Sequence, residues 1–328
     1  MKKLLTSFIS FILLIFTSLS LIACNTEKDE VNVYVVDGAP VISVANLIED
    51  CQIENRKVKV NVVPNIDALT GAIGRGDADV AVCPINVAST LYNGGVDYKL
   101  LSVNIFGVLH IVGKTAVTLD GLKGQTVYNI GKGGTPDVTL KYILNKNNIA
   151  FTENLDEPLS DKVNLKYVSK ADELMPLLKQ GVAKYGVLGE PAVTKANAVA
   201  NVSSVINLTE EWSKVCNYKY TQAGVIVSQN LIEKDVKFVK GLFETLKNSN
   251  NYAKENAQNI KSIISSAGST LTVDFTSEII SRCNVDCKGA YQIKSDVEYY
   301  LSALMEYNKN VIGGKLPDKN FYINYENL

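Results

Sequence analysis

The chain has 328 residues, of which 46% are hydrophobic and 20% are charged, and its formal net charge is −1. Because no basic block is present, nucleic acid is not an expected partner. The single histidine excludes metal sites built from several histidines, and the length suits two domains.

The first residues have the parts of an export signal. Two lysines precede an apolar stretch from Leu4 to Ile22, and the tetrapeptide Leu21-Ile22-Ala23-Cys24 has the form of a lipobox. An uncleaved membrane anchor is the alternative, because the apolar stretch is nearly long enough to span a bilayer. The alanine directly before the cysteine favours a signal peptide over residues 1–23.

Cleavage at that point would leave Cys24 lipidated and the remaining chain outside the cytoplasm. Cys24 is followed by NTEKDE, which is polar and charged. Residues 24–30 are therefore predicted to form a lipidated tether. We therefore expect a protein held by a lipid anchor on the extracytoplasmic face of the cell membrane.

The body of the chain predicts alternating strands and helices. The apolar run 99–112 is too long for one ordinary strand and predicts two β-pieces with a crossing after them. Residues 220–228 predict a strand that returns to the first lobe, and the pattern beyond them is helical. We expect an α/β protein with two lobes, each a mostly parallel sheet flanked by helices. Lobe 1 would contain residues 31–112 plus 217–328, and lobe 2 would contain residues 113–216.

Prolines mark the strand-to-helix junctions. Proline favours an extended residue before it and a helix start after it. Such β/α units bind ligands at the carboxyl ends of their strands, so we expect a binding cleft there. Five of the eight prolines close an apolar run and open a helical pattern: Pro40, Pro64, Pro84, Pro136 and Pro191.

The stretch 125–144 is the most informative of these junctions. Residues 126–130 predict a strand, and the following glycines make a loop in which a ligand can approach the backbone. Thr135 suits a helix N-cap, and Asp137 suits the positive end of a helix. Strand, glycine loop and helix start together favour a site for a small polar ligand.

The charges in the junction loops favour one class of ligand over another. Lys132 is the one cationic side chain there, whereas Asp37 and Glu190 end strands in different lobes. Two acids and one lysine favour a ligand with an amine or a donor-rich heterocycle over a sulfonate, although both acids could instead be solvated or helix-capping. All three arginines, Arg56, Arg75 and Arg282, lie outside the junctions. The candidate ligand-binding residues are Asp37, Gly38, Pro84, Asn86, Lys132, Gly133, Gly134, Thr135 and Glu190.

No catalytic, cofactor or metal motif is found. Gly131-Lys132-Gly133 begins like a dinucleotide fingerprint, but proline stands at its third glycine position. The five cysteines after Cys24 form no zinc pattern and no nucleophile pair with His110. Cys283 and Cys287 could form a local disulfide or could be buried thiols.

Several motifs together carry a resemblance. After the lipobox come VxVxVxxGAP, GDADVAV, DGLKGQTVYNIGKGGTPDVTLKYIL and YGVLGEP, in this order. From residue 31 to about residue 310 the chain resembles the solute-binding lipoproteins of ABC importers, within the group that binds alkanesulfonates, nitrate, taurine and thiamine precursors. The resemblance implies a type II periplasmic-binding-protein fold with a two-segment hinge. It also implies a ligand over the loops that match 37–40, 83–86, 131–135 and 189–190.

We therefore expect a monomeric, non-catalytic binding protein that delivers a small molecule to ABC permease subunits in the membrane. The favoured ligand is an amine-bearing or heterocyclic compound such as a thiamine-precursor-like pyrimidine. The alternatives are a binder of a small oxyanion such as an alkanesulfonate, an enzyme on the same fold, and a surface receptor that no longer transports.

Overall fold

The structure is a computed structural model that describes residues 30–328. The predicted signal peptide, Cys24 and the tether up to residue 29 lie outside the described residues. Within residues 30–328, no helix combines the length and the apolar character needed to cross a membrane.

Thirteen strands and thirteen α-helices make up this part of the chain. The strands are β1 (Glu30–Val36), β2 (Gln52–Ile53), β3 (Arg56–Val63), β4 (Val80–Pro84), β5 (Tyr98–Ile105), β6 (Leu109–Gly113), β7 (Thr126–Ile130), β8 (Phe151–Glu153), β9 (Val163–Val168), β10 (Tyr185–Gly189), β11 (Ser203–Asn207), β12 (Ala223–Ser228) and β13 (Val285–Gly289). The helices are α1 (Ala39–Ile42), α2 (Ile66–Gly74), α3 (Ile85–Asn93), α4 (Thr135–Lys146), α5 (Ala171–Gln180), α6 (Ala192–Ala200), α7 (Leu208–Val215), α8 (Gln229–Lys234), α9 (Val236–Lys247), α10 (Ser249–Glu255), α11 (Ala257–Ser266), α12 (Ser277–Arg282) and α13 (Lys294–Tyr307).

The described strands form two sheets. One has seven strands in the order β13-β5-β12-β4-β1-β3-β2, and the other has six in the order β11-β6-β10-β7-β9-β8. The first lobe is built on the first sheet and comprises residues 30–105 and 223–289. The second lobe is built on the second sheet and comprises residues 109–207. Helices flank both sheets, so the predicted two-lobed α/β fold is confirmed.

Strand direction differs between the two sheets. In the second sheet β7 pairs in parallel with β9 and β10, as the β/α alternation predicts. In the first sheet β12 lies between β4 and β5 and runs antiparallel to both. The expectation of a mostly parallel sheet is therefore wrong for the first lobe. The reason is that β12 returns from the second lobe and is inserted beside strands that run the other way.

The chain changes sheet twice. It leaves the first sheet after Ile105 and enters the second at Leu109, and it returns to the first sheet at Ala223. The run 99–112 thus forms two strands, as predicted, and the second of them already belongs to the second lobe. The lobe boundaries at 112/113 and 216/217 stay predictions.

Gly107 lies in the first of these crossings and has a φ of +86°. A side chain at this position would collide with the ring of Tyr220 and with Oγ1 of Thr209, which belong to the second crossing segment. Glycine is therefore required here both for its backbone conformation and for the close approach of the two segments.

An aromatic cluster packs the second crossing against the C-terminal helix. Trp212 of α7 is fully buried. Its ring lies 4.8 Å from the ring of Tyr142 in α4, 5.2 Å from Tyr220 and 5.9 Å from Tyr300 in α13. The hydroxyl groups of Tyr142 and Tyr299 are 2.6 Å apart. Helix α13 is thereby fixed to the second lobe.

The segment after α13 is fixed to the first lobe. The carbonyl oxygen of Ile312 accepts hydrogen bonds from Oγ of Ser89 and Nδ2 of Asn93, both at 2.8 Å. Because Ser89 and Asn93 belong to α3, residues 294–312 contact both lobes. This segment therefore joins the two lobes.

Candidate functional site

A cavity of about 480 Å³ lies between the lobes. The first lobe contributes residues just after β1 and β3 and the loop 270–273. The second lobe contributes the last residue of β7 and residues that follow β9 and β10. Its lining residues are Asp37, Gly38, Pro64, Ile130, Ser169, Lys170, Ala171, Asp172, Met175, Glu190, Pro191, Ala192, Lys195, Thr270, Leu271, Thr272 and Val273. Three of the predicted site residues, Asp37, Gly38 and Glu190, therefore face a common cavity.

The carboxylate of Asp37 is occupied by neighbours in its own lobe. Its Oδ1 accepts a hydrogen bond from Oγ of Ser269 at 2.6 Å, and its Oδ2 accepts from N and Oγ1 of Thr270, each at 2.8 Å. Asp37 thus holds the loop 269–273, which forms one wall of the cavity. Sequence reasoning missed this loop because it has neither apolar periodicity nor a proline junction.

The carboxylate of Glu190 is buried, with a side chain that is 0% exposed. Oε1 lies 2.7 Å from Nε of Arg282. Oε2 accepts from N of Thr194 at 3.1 Å and from Oγ1 of Thr194 at 2.9 Å. The expectation that every arginine lies away from the junctions is wrong for Arg282, because α12 places it against a carboxylate 92 positions earlier in the chain.

The glycine loop before α4 binds a carboxylate of its own chain. N of Gly133 donates to Oδ2 of Asp137 at 2.8 Å. Helix α4 begins at Thr135, and its N-cap is Gly134, which makes no side-chain capping bond. The predicted N-cap is therefore one residue too late: Oγ1 of Thr135 instead donates to Oδ1 of Asn86 at 3.2 Å. That hydrogen bond joins the two lobes.

Pro84 and Asn86 lie at the start of α3, and Asn86 also contacts the segment that joins the lobes. Pro84 is the last residue of β4 and the N-cap of α3. Nδ2 of Asn86 donates to the carbonyl oxygen of Val311 at 3.2 Å. Pro84, Asn86, Lys132, Gly133, Gly134 and Thr135 do not line the cavity. Their role as ligand-binding residues stays a prediction.

Lys132 belongs to a charged network inside the second lobe. Its Nζ pairs with Glu153, and it lies 5.4 Å from the centre of the Tyr167 ring. Nζ of Lys141 pairs with Asp137 at 2.8 Å and with Glu153 at 2.7 Å. The cation expected to serve the ligand is therefore neutralised by an acid on β8.

Glu153 gives this network a pH dependence. Partial burial alone would raise its pKa, but hydrogen bonds from Lys132 and Lys141, together with their charges, lower the pKa from 4.5 to about 2. The resulting stabilisation is fully present above about pH 4.5 and is lost as the pH falls through about 2. Because the side chain is 29% exposed, solvent screening limits the effect to about 1 kcal/mol.

We expect Glu153→Gln to lower the free energy of unfolding at pH 7, and the difference from wild type to shrink on acidification below pH 4.5. Urea unfolding at pH 7, 5, 4 and 3 measures this difference, and the same change at the exposed Glu157 is the control. A difference that does not depend on pH would show that the carboxylate of Glu153 is not stabilised in its charged form.

The remaining charges of the cavity come from the second lobe. Lys170 and Lys195 are exposed at its edge, and Nζ of Lys195 lies 3.5 Å from Oδ1 of Asp172. Lys170 is the N-cap of α5, and α6 has no acidic residue in its first turn. The positive ends of both helices are already compensated, because the first turn of α5 carries Asp172 and Glu173 and N of Thr194 in α6 donates to Glu190. Lys170 and Lys195 are therefore what favours anions at this wall. Sequence reasoning missed Lys170 because no proline marks the junction before α5, and it missed Lys195 because that residue lies one turn into α6, beyond the Pro191 junction.

Apolar side chains from both lobes complete the cavity. Met175 lies on α5, and Leu271 and Val273 lie on the loop held by Asp37. A pocket with apolar walls and a few polar groups is typical of small-molecule binding.

The histidine and the cysteines lie apart from this chemistry. His110 is buried, its Nδ1 lies 2.8 Å from Oγ of Ser204, and burial lowers its pKa. Cys283 and Cys287 are free, buried thiols, so the local disulfide is not formed. Among the residues that the structure describes, no group of three or more His, Cys, Asp or Glu is placed to hold a metal ion.

Comparisons with known proteins agree with this architecture. No family model and no curated protein matches the chain. A solved structure described as an ABC transporter from Parabacteroides distasonis is 26% identical with a TM-score of 0.76, covering 90% of this chain and 99% of that one.

Two further solved structures are sulfonate-binding proteins. The periplasmic aliphatic sulphonate binding protein SsuA from Escherichia coli is 13% identical with a TM-score of 0.67, covering 90% of this chain and 92% of that one. SsuA from Xanthomonas axonopodis pv. citri, solved with bound MOPS, is 14% identical with a TM-score of 0.59, covering 89% of this chain and 96% of that one. The chain therefore has the two-lobed fold of the periplasmic solute-binding proteins of ABC transporters.

Proposed function

We propose that this protein is an extracytoplasmic solute-binding lipoprotein that captures a small molecule between its lobes and delivers it to an ABC permease. The observation that carries the proposal is the cavity of about 480 Å³ whose walls come from both lobes. A ligand held by two walls favours the arrangement in which the lobes are close, and that difference is what a permease could recognise. Lipidation of Cys24 would keep the protein beside its permease. The role is binding without turnover.

The charges of the cavity support an anionic or acceptor-rich ligand group. Both acids on which the sequence-based choice of an amine depends are occupied: Asp37 by Ser269 and Thr270, and Glu190 by Arg282 and Thr194. The exposed charges at the cavity edge are Lys170, Lys195 and Asp172. Two cations against one acid suit a carboxylate or sulfonate group on an apolar body.

Calorimetric titration with an alkanesulfonate, a small alkyl carboxylate, an alkylamine and an aminopyrimidine tests this proposal. We expect one of the two anions to bind and Lys195→Gln to weaken that binding by about threefold to tenfold, because an exposed charge pair contributes about 1 kcal/mol. Lys184→Gln, at an exposed lysine away from the cavity, is the control.

The titrations test the proposed binding role and the proposed ligand class separately. If only the amine or the aminopyrimidine bound, the ligand class expected from the sequence would be correct and the proposed anion would be wrong. The proposed binding role would be unaffected. Equal affinity of wild type and K195Q for the anion would show that the charges at the cavity edge do not choose the ligand. Conversion of any bound compound into a product would favour an enzyme on this fold.

A further inference from the structure

Arg282 connects the two lobes through one buried acid. It is the last residue of α12 in the first lobe, and its Nε lies 2.7 Å from Oε1 of Glu190, the residue after β10 in the second lobe. Its Nη2 donates to Oγ1 of Thr194 at 3.1 Å. Its Nη1 donates to Oε1 of Glu278, one turn earlier on the same helix, at 2.8 Å.

The contact between Arg282 and Glu190 is the most important of these because the carboxylate is buried. The side chain of Glu190 is 0% exposed, whereas that of Arg282 is 35% exposed. A buried carboxylate is tolerated only when it is paired and hydrogen-bonded. Among the described residues, the hydrogen-bond donors to Glu190 are Thr194 on the following helix and Arg282 in the other lobe, and only Arg282 carries a charge.

The same acid also organises the cavity wall. Oε2 of Glu190 accepts from the backbone N of Thr194 in the first turn of α6, and Ala192 and Lys195 in that turn line the cavity. Moving the lobes apart at this point would break the ion pair and the hydrogen bond from Nη2 of Arg282 to Thr194, and water would then hydrate the carboxylate, which lines the cavity. The cost of losing these two contacts opposes opening.

We propose that Arg282 is a positioning residue of the cleft: its ion pair with Glu190 holds the lobes in the arrangement described here and keeps the first turn of α6 in place. An uncharged contact between the lobes, from Oγ1 of Thr135 to Oδ1 of Asn86 at 3.2 Å, is longer and contributes less.

The other carboxylate of Arg282 provides a matched control. Glu278 lies on the same helix as Arg282, its side chain is 83% exposed, and its contact does not cross between the lobes. Glu278→Gln therefore removes an Arg282 ion pair of similar length without touching the lobe contact. An exposed pair of this kind contributes little.

The test measures the distance between the lobes in four proteins besides wild type: Arg282→Gln, Glu190→Gln, the double variant and Glu278→Gln. Spin labels on introduced keto amino acids at the exposed positions Gln52 and Asp156 place one label on each lobe and avoid the native cysteines. Pulsed electron–electron double resonance then measures the distribution of distances between the two labels. Circular dichroism confirms that each variant is folded.

We expect one narrow distance distribution for wild type and E278Q, and a shift toward longer distances for R282Q and E190Q. R282Q leaves a buried charge unpaired and could fail to fold, but the double variant removes both charges. It should recover the melting temperature lost in R282Q while still showing the shift. A wild-type distribution in the folded double variant would overturn the proposal, as would a shift in E278Q equal to that in R282Q. Because no ligand is needed, either result would leave the proposed binding function standing.

Discussion

Replacing Ala192 by tryptophan is expected to weaken capture of the ligand by more than about a hundredfold, or about 2.7 kcal/mol. Ala192 is half-buried, begins α6 and lines the cavity between the lobes. An indole at this position would project into a space of about 480 Å³ and prevent the walls from closing on a small molecule. Because the added volume enters the cavity and not the packed core, the free energy of unfolding should change by less than about 1 kcal/mol.

Val199→Trp is the matched control for that substitution. Val199 lies on the same helix and is 46% exposed, away from the cavity. Calorimetric titration of the three proteins with the anion bound by wild type compares them directly. If A192W bound as tightly as V199W, the cavity could not be the place where the ligand is held.

The second large effect concerns stability. We expect Trp212→Ala to lower the free energy of unfolding by about 3–5 kcal/mol, the usual range for removing a buried aromatic side chain. The indole is fully buried, contacts the rings of Tyr142, Tyr220 and Tyr300, and donates from Nε1 to the carbonyl oxygen of Tyr218 at 2.8 Å. Alanine would leave a cavity and would remove the hydrogen bond from Nε1 to that carbonyl oxygen.

Urea unfolding measures the effect of Trp212→Ala, with Tyr291→Ala as the control because Tyr291 is 54% exposed. The control should lose less than about 1 kcal/mol. A similarly small loss in W212A would mean that the aromatic cluster does not hold α13 against the second lobe.

The local patterns of the chain predict most of the architecture. Apolar runs closed by proline locate the ends of β1, β3, β4 and β10, because proline restricts the backbone on both sides of itself. The apolar run 220–228 predicts the return strand, and β12 occupies residues 223–228 of the first sheet. These features depend on a few neighbouring residues, so the local pattern of apolar residues is enough to predict them.

The electrostatics of the site could not be obtained in the same way. Asp37 binds residues more than two hundred positions later in the chain, and Arg282 meets Glu190 only because the first lobe is completed by the C-terminal helices. The sequence near Lys132 does not indicate an ion-pair partner, but β8 places Glu153 against it. Whether a loop charge meets a ligand or an ion-pair partner depends on which loops the two sheets bring together.

Native mass spectrometry tests the central claim, capture of a small molecule between the lobes, most directly. The folded protein, purified without denaturation, is incubated with a metabolite extract, desalted and measured beside A192W and V199W. We predict one small-molecule adduct on wild type and V199W that is absent from A192W. An adduct of equal abundance on all three proteins, or no adduct on any of them, would contradict the account.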